Sequence, residues 1–527
     1  MAAMNAPLAD VALLLEGTYP YVSGGVSSWV HQIIRGLPEI RFALVFLGGD
    51  PKHYGKPRYE LPANVVRLDT HYLMALGRMN APRLRPGNAA RFADSARLHD
   101  YLRGAQDVGL PTGLLTRLFQ SLGQEGGITG DDFLLSEAAW LQICSDYERL
   151  CSDPSFVDYF WTVRMMHAPI FQLAAIARDL PLCRSYHAIS TGYAGLLGAL
   201  LHHRQQRPFL LTEHGIYTKE RKIDLAQAEW IKEPADAARA SFGSGQGGLG
   251  YTRGLWIRFF EGLGRLTYDA ADPVISLYEG NRLRQIKDGA QAPRTRVIPN
   301  GIDLARFAPL RARRAERVPM VLGLLGRVVP IKDIKTFIRA LRGVVNRIPE
   351  AEGWIIGPTD EDPAYARECE ALVASLGLGE RVKFLGFQKP EDILPKLGLM
   401  VLTSISEALP LVLLEGFASG LPALATDVGA CREVLHGGCA EDRALGSAGA
   451  VVHIADPDAT ARAALALLQD EARWRAAQAA GIARVETFYT QAAMLDAYRR
   501  TYRAAIDAPG PVLNLPARVA AQEGRAS

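Results

Sequence analysis

Apolar strands alternating with helical patterns, once in each half of the chain, predict an α/β protein with two doubly wound domains facing across a cleft. The opening supplies the first sign. Val11-Ala-Leu-Leu-Leu15 runs into a glycine-bearing loop, Ser23-Gly-Gly-Val-Ser-Ser28, then into a helical pattern with Trp29, Val30, Ile33 and Ile34, then into a second apolar segment, Arg41-Phe-Ala-Leu-Val-Phe-Leu47. Strand, helix and strand in that order form a parallel βαβ unit. The second sign is a restart: residues 320–326, 352–357, 382–387, 400–403 and 421–426 are short apolar segments separated by helical patterns. Size agrees, because 527 residues accommodate two large α/β domains.

Along the first half, residues 83–164 are helical and irregular, punctuated by Gly123-Gln-Glu-Gly-Gly127, and read as an insertion. Strand-like segments resume at Tyr186-His-Ala-Ile-Ser190 and Pro208-Phe-Leu-Leu-Thr212, the second ending in Glu213-His214-Gly215. Val274-Ile-Ser276 and Val297-Ile-Pro-Asn-Gly-Ile-Asp303 close this half, and residues 235–250, rich in Ala, Ser and Gly, read as a mobile loop. A basic linker at 308–317 sets a boundary near 310, separating an N-terminal domain, 1–310, from a C-terminal domain, 311–486. Residues 487–508 form a last helix expected to cross back to the first domain. The tail, 509–527, has too little apolar content to pack and is expected to be disordered.

Composition narrows the function classes. Hydrophobic residues at 48% and charged residues at 22% are ordinary for a globular protein. The net charge of +3, from 59 basic and 56 acidic residues, is too balanced for a nucleic-acid binder, so any anion site must rest on local cations. Six cysteines lack CxxC or Cys/His metal spacing, which fits free thiols in a reducing compartment and no zinc. Asp360-Glu-Asp362 and Asp456-Pro-Asp458 look like metal-binding pairs but sit in a helix-starting loop and a turn, so no metal is assigned. The N-terminus lacks a basic region followed by a long apolar stretch, and no apolar run approaches the roughly 20 residues of a membrane span. A cytoplasmic chain is expected, with peripheral attachment through a partner left open.

Four places carry chemistry. Glu407 and Glu415 lie eight positions apart where an apolar strand passes through a polar loop into an apolar helix, with Pro410 acceptable at the first helical position. A phosphate docks readily on such a helix N-terminus while a carboxylate one turn inside accepts hydroxyl protons from a sugar or ribose. Such pairs also arise by chance. Arg327 and Lys332 follow the strand ending at Leu325-Gly326, where open α/β sheets bind ligands, and two cations there suit an anion and, equally, an ordinary basic surface loop. Gly24 and Gly25 let backbone approach a ligand, although glycines at such a turn often serve only the turn; there is no Walker A lysine. His214, at a strand end beside Lys219, Arg221 and Lys222, is placed to hydrogen-bond a sugar hydroxyl or to play a structural part.

Gly24-Gly25, Pro299-Asn-Gly-Ile-Asp303 with Phe307, Gly-Arg327-x4-Lys332 and Glu407-x7-Glu415 occur in the order seen in family 4 retaining glycosyltransferases of the GT-B fold, which this chain resembles over most of residues 10–505. The segments Leu15-Glu-Gly-Thr-Tyr-Pro-Tyr-Val-Ser-Gly-Gly-Val-Ser-Ser-Trp29 and Thr212-Glu-His-Gly-Ile-Tyr-Thr-Lys-Glu-Arg221 further resemble the cytoplasmic glycosyltransferases of bacterial Pel exopolysaccharide systems. The resemblance implies two Rossmann-like domains, the C-terminal one holding a UDP-sugar donor and the N-terminal one facing the acceptor. It implies that Glu415 binds ribose hydroxyls, Arg327 and Lys332 neutralise the diphosphate, Glu407 contacts the donor sugar, and the helix beginning at Leu411 and Val412 offers backbone donors to phosphate. Gly386 and Phe387 would lie near the base, and His214 and Gly25 would complete the site from the opposite domain. Asp333 departs from the family's usual glycine after the lysine. No cofactor beyond the donor is implied; the partners implied are a growing polysaccharide acceptor and inner-membrane polysaccharide synthase components. A nucleotide-sugar-binding scaffold subunit that transfers nothing, and a sugar-nucleotide epimerase on the same architecture, stay open as alternatives.

Overall fold

The computed structural model describes residues 7–73, 84–102, 113–151, 155–227 and 250–508. The tail 509–527, and all but the last residue of the loop expected at 235–250, lie outside them.

Among the described residues, thirteen strands form two wholly parallel sheets. In the first, β1 (Val11–Glu16), β2 (Phe42–Gly48), β3 (Val65–Tyr72), β4 (Ser185–Ala188), β5 (Phe209–Glu213), β6 (Val274–Ser276) and β7 (Thr295–Val297) run in the order β3-β2-β1-β4-β5-β6-β7. In the second, β8 (Val321–Leu325), β9 (Glu352–Ile356), β10 (Val382–Gly386), β11 (Leu399–Leu402), β12 (Ala423–Thr426) and β13 (Gly449–Val452) run β10-β9-β8-β11-β12-β13. Val11 to Leu15 have no exposed surface, as a central parallel strand covered by helices on both faces requires. The following helix, Gly25–Gly36, buries Trp29, Val30, Ile33 and Ile34 on one face. Sequence patterning missed β3 and β13. Both are edge strands, and β3 carries Arg67, Asp69 and His71 at alternate positions on a half-exposed ribbon.

Five helices separate β3 from β4 among the described residues: Ala89–Leu102, Leu114–Ser121, Gly130–Leu135, Glu137–Leu150 and Phe156–Asp179. The last runs through buried Pro169, so this helical region extends past residue 164, where the sequence pattern placed its end. Asp362 and Asp456, read as members of possible metal pairs, cap helices instead, accepting from the backbone N–H of Tyr365 at 3.0 Å and Ala459 at 2.8 Å. All six cysteines are unpaired.

The helix Gln491–Asp507 packs Met494, Tyr498, Tyr502 and Ala505 into the core of the first sheet. Its hydroxyls complete a buried network: His187 Nδ1 lies 2.8 Å from the Tyr502 hydroxyl, His187 Nε2 lies 2.9 Å from Thr212 Oγ1, and Thr212 lies 3.1 Å from the Tyr498 hydroxyl. The chain passes between the sheets near residue 302 and again near 490, and the two passages are tied. Ile302 N–H donates to Tyr489 O at 2.8 Å, and Gln491 N–H donates to Ile302 O at 3.0 Å. A side chain at Gly301 would stand 2.4 Å from Thr490 O, so only glycine allows this approach. Elsewhere between the halves, Glu433 accepts from the N–H of Glu279 at 3.3 Å and Gly280 at 3.1 Å, capping the helix Glu279–Lys287, which has no side-chain cap of its own.

Burial pushes His187 down to about 3 and His203 and His214 to about 4. Each is protonated in the unfolded chain below about pH 6.5 but stays neutral when folded, so the unfolded state takes up more protons and stability falls as pH drops from about 6.5 towards 4. Urea unfolding at about pH 7 and about pH 5 is expected to show that loss, and His187→Gln is expected to show a smaller one.

Candidate functional site

Each sheet reverses its strand order once, between β1 and β4 and between β8 and β11. Such a reversal splays the loops at the strands' carboxyl ends apart and opens a crevice there. Both crevices meet in one cavity of about 730 Å³. From the first sheet, the ends of β1, β2, β4 and β5 contribute Glu16, Gly17, Thr18, Gly48, Gly49, Ser190, His214 and Gly215; from the second, β8 and β11 contribute Arg327, Glu407, Ala408, Leu409 and Leu411. Residues more than three hundred positions apart thus line one cavity.

Lys332 ends a 3₁₀ turn, Pro330–Lys332, and its ammonium is paired with Glu407 Oε1, the two side chains only 19% and 13% exposed. Thr403 fixes that turn against the loop after β11 by donating to the carbonyls of Lys332 and Asp333 at 3.0 and 2.9 Å. Asp333 sits at φ +44°, where glycine is ordinarily favoured, and its carboxylate caps the helix Ile334–Val345 by accepting from Thr336 N–H at 3.2 Å. The cap compensates the left-handed backbone. Arg327 reaches the same cavity from the end of β8 and is held by Glu361 at 2.5 and 2.8 Å on the exposed side.

Glu415 lies just over one turn inside the helix Leu411–Ala418, whose N-cap is Pro410, one position earlier than the sequence placed it. Burial raises its carboxyl to about 7; Arg306 pulls it down and Glu391 pushes it up, while those two neighbours are paired with each other at 2.5 Å. Leu411 faces the cavity, and Val412 packs half-buried against the second core. Gly386, at φ +62°, ends β10 and accepts from Gly357 N–H at 2.9 Å; Phe387 after it is 77% exposed. Neither residue lines the cavity wall that holds Glu407.

On the opposite wall Gly25 begins its helix and Gly24 precedes it in extended backbone. Nothing stands within 4 Å of a side chain built at either, and neither φ demands glycine. Their bareness leaves room in front of them. The His214 ring stands edge-on to Trp29, 4.7 Å between centroids, and burial keeps its imidazole neutral. Its Nε2 is buried without a hydrogen-bond partner, as are Thr18 Oγ1 and Asn300 Oδ1 on the same cavity. Buried polar atoms are seldom left unpaired in a folded chain, and such atoms ordinarily take a water or another polar partner.

Sequence reasoning missed much of this wall. Glu16 accepts from Ser190 Oγ at 3.2 Å, Ala194 N–H at 3.1 Å and the Tyr217 hydroxyl at 3.0 Å. Arg221 donates to that hydroxyl at 3.0 Å and lies over the Tyr217 and Phe260 rings. Burial raises the Glu220 carboxyl, and Asp224 raises it further. The usable signal was the polar run after β5, where Arg221 had been noted only as a neighbour of His214. Glu213, next to His214, is structural: it is buried and takes hydrogen bonds from Tyr268 at 2.6 Å and Gln285 at 3.0 Å. Among the described residues, no group of three or more His, Cys, Asp or Glu side chains is placed to hold a metal ion, and no helix is long and apolar enough to cross a membrane.

The two parallel-sheet, Rossmann-like units define the GT-B architecture of glycosyltransferases, and comparison with solved structures agrees. Sucrose-phosphate synthase from Thermosynechococcus elongatus superposes with a TM-score of 0.56 at 19% identity, covering 95% of this chain and 99% of that one. Anabaena HepE in complex with UDP and glucose superposes at 0.53 and 14% identity, covering 94% and 99%. The chain belongs to the family described as "Domain of unknown function (DUF3492)", whose model matches residues 9–293, and its residues 319–470 match the model described as "Glycosyl transferases group 1". Among curated relatives, the D-inositol 3-phosphate glycosyltransferase of Nocardia farcinica is 33% identical over 154 residues, 27% of this chain and 34% of that protein. The lipopolysaccharide core biosynthesis mannosyltransferase LpsB of Rhizobium meliloti is 32% identical over 197 residues, 36% of this chain and 54% of its own. The chain thus spans between a third and just over half the length of these two relatives.

With a folded value near 7 against an ordinary 4.5, Glu415 holds a proton in the fold that it loses in the unfolded chain. The Glu415 contribution to stability therefore falls as pH rises from about 4.5 to about 7 and is level above, opposing the histidine contribution over that window. Glu415→Gln is expected to remove that component, gaining on the parent chain between about pH 5 and about pH 8 in urea unfolding.

Proposed function

We propose that this chain is a retaining glycosyltransferase that takes a sugar from a UDP-sugar and adds it to a growing exopolysaccharide. The observation that carries the proposal is Glu407, paired with Lys332, on a cavity that Arg327 also lines and whose other wall presents neutral His214 and bare Gly25. The segments 15–29 and 212–221 look closely like PelF, the cytoplasmic glycosyltransferase of Pel exopolysaccharide systems, and support the finer reading of acceptor, cytoplasmic location and inner-membrane synthase partners.

In this reading the donor's diphosphate takes Lys332 from Glu407, with Arg327 and the N–H groups at the start of the helix Leu411–Ala418 sharing its charge. Glu407, released, accepts hydroxyl protons from the donor sugar, and Glu415 as a carboxylate accepts them from the ribose. Gly386 and Phe387 remain assigned to the base. The bond between the sugar's anomeric carbon and the diphosphate oxygen breaks, UDP departs with the electron pair, and the acceptor hydroxyl attacks from the face UDP leaves. Its proton passes to the departing phosphate. Stabilising that anion is the main task, and fixed cations and N–H dipoles perform it without the reorganisation that water would need. His214, neutral and with Nε2 open, donates to or accepts from a sugar hydroxyl near the reacting carbon.

UDP release from UDP-glucose and related donors, with a polysaccharide acceptor, is expected to fall about 10²- to 10³-fold in Lys332→Ala and Glu407→Ala. Unchanged turnover in both would sink the proposal, and donor binding without turnover in the presence of membrane partners would favour the scaffold alternative. Separately, UDP-glucose, whose own diphosphate does not titrate near neutrality, is expected to bind more tightly as pH rises through about 7, with that dependence lost in Glu415→Gln. Calorimetric titration on either side of neutrality reads this directly.

A further inference from the structure

The helices between β3 and β4 carry a surface that the cleft does not use. On the helix Phe156–Asp179, Val157, Trp161 and Met165 stand at successive four-residue steps, one face, and each is more than half exposed. On the helix Glu137–Leu150, Trp140 and Leu141 are equally bare. The two faces are continuous, since Trp140 lies edge-on to Phe156 at 5.5 Å and to Phe160 at 6.0 Å. A groove of about 720 Å³, lined in part by Leu134, Trp140, Ile143 and Phe160, runs beside them. An apolar surface of this extent, with two tryptophans at its centre, is of the kind that marks a contact site.

Charge decides among occupants. Glu137 and Glu148 lie at the two ends of the face that holds Trp140 and Leu141, and Asp158 lies beside Val157 and Trp161; all three are exposed, and no described cation pairs with them. The nearby cations are engaged: Arg149 with Asp100 and Asp146, Arg85 with Asp131 and Asp132, and Arg164 with Leu134 O at 3.0 Å and the Phe160 and Trp161 rings. Arg164, whose partners are uncharged, keeps its positive charge, so three carboxylates without a paired cation stand against one arginine and the rim of the apolar face is acidic in balance. An anionic bilayer would be repelled, and a second copy docked face to face would set like charges opposite one another. We infer that this face binds a basic amphipathic helix of a partner protein, apolar stripe against Val157, Trp161 and Met165 and flanking lysines or arginines against Glu137, Glu148 and Asp158.

The probe is a fluorescein-labelled Leu/Lys amphipathic helix of about five turns, titrated with the full chain and read by anisotropy. Saturable binding is expected, weakened about tenfold or more by Trp161→Asp and similarly by Glu137→Lys with Glu148→Lys, and weakened as salt rises. A Leu/Glu helix of the same pattern is expected to bind about tenfold more weakly. These side chains are exposed, so the variants should keep the parent's thermal midpoint; should Trp161→Asp shift it, Met165→Asp on the same stripe takes its place. Equal binding of the Leu/Lys helix by parent and variants, or no saturable binding, overturns the inference. Co-sedimentation with phosphatidylcholine or phosphatidylglycerol vesicles, or a concentration-dependent dimer, either one abolished by Trp161→Asp, overturns it in favour of a lipid surface or a second copy.

Discussion

Every strand in both sheets is parallel, and this constrains everything that follows. A parallel strand must return to its starting edge before the next can be laid, so all carboxyl ends of one sheet emerge on one side, and where the strand order reverses the emerging loops diverge. Two such sheets place their diverging loops at one cavity. Glu16, His214, Arg327 and Glu407 line one cavity because each lies at, or within about five residues of, the carboxyl end of a strand that ends there.

The charged groups at the cavity answer part of one another's charge. Lys332 and Glu407 neutralise one another in a place where either alone would be costly, and Glu16 is fully engaged by Ser190, Ala194 and Tyr217. Thr18, His214 and Asn300 are not answered. Glu16 and Glu407 are thus held by hydrogen bonds and an ion pair, while these three neutral groups are not.

The central strands were legible in the sequence because burial on both faces writes an unbroken apolar run, as in residues 11–15 and 399–402. The edge strands β3 and β13 were not: a half-exposed ribbon mixes polar and apolar residues, and β13 is only four residues long. Proline inside the helix Phe156–Asp179 reads as a stop, yet tertiary burial carries the helix through it. In the candidate site, Arg327 and Lys332 drew attention as two cations after a strand end, and Glu407 as one of two glutamates spaced across a polar loop and the start of an apolar helix. Glu16, Tyr217 and Arg221 were not, since their meeting depends on hydrogen bonds across about two hundred residues of chain that no local pattern encodes. The environment of Glu415 was equally hidden, because Arg306 and Glu391 arrive from elements remote in sequence.

The knot of hydrogen bonds where residues 301–302 cross residues 489–491 has a mechanical meaning. Two straps pinned at one spot act as a pivot, so a change in the angle between the sheets resolves into rotation about that spot, with little sliding. Points far from the pivot then travel farthest, and any such rotation has to break the Glu433 contact with the helix Glu279–Lys287. Enlarging Gly301 would alter the set of the pivot, and with it the spacing of the two cavity walls, without replacing any side chain that lines them.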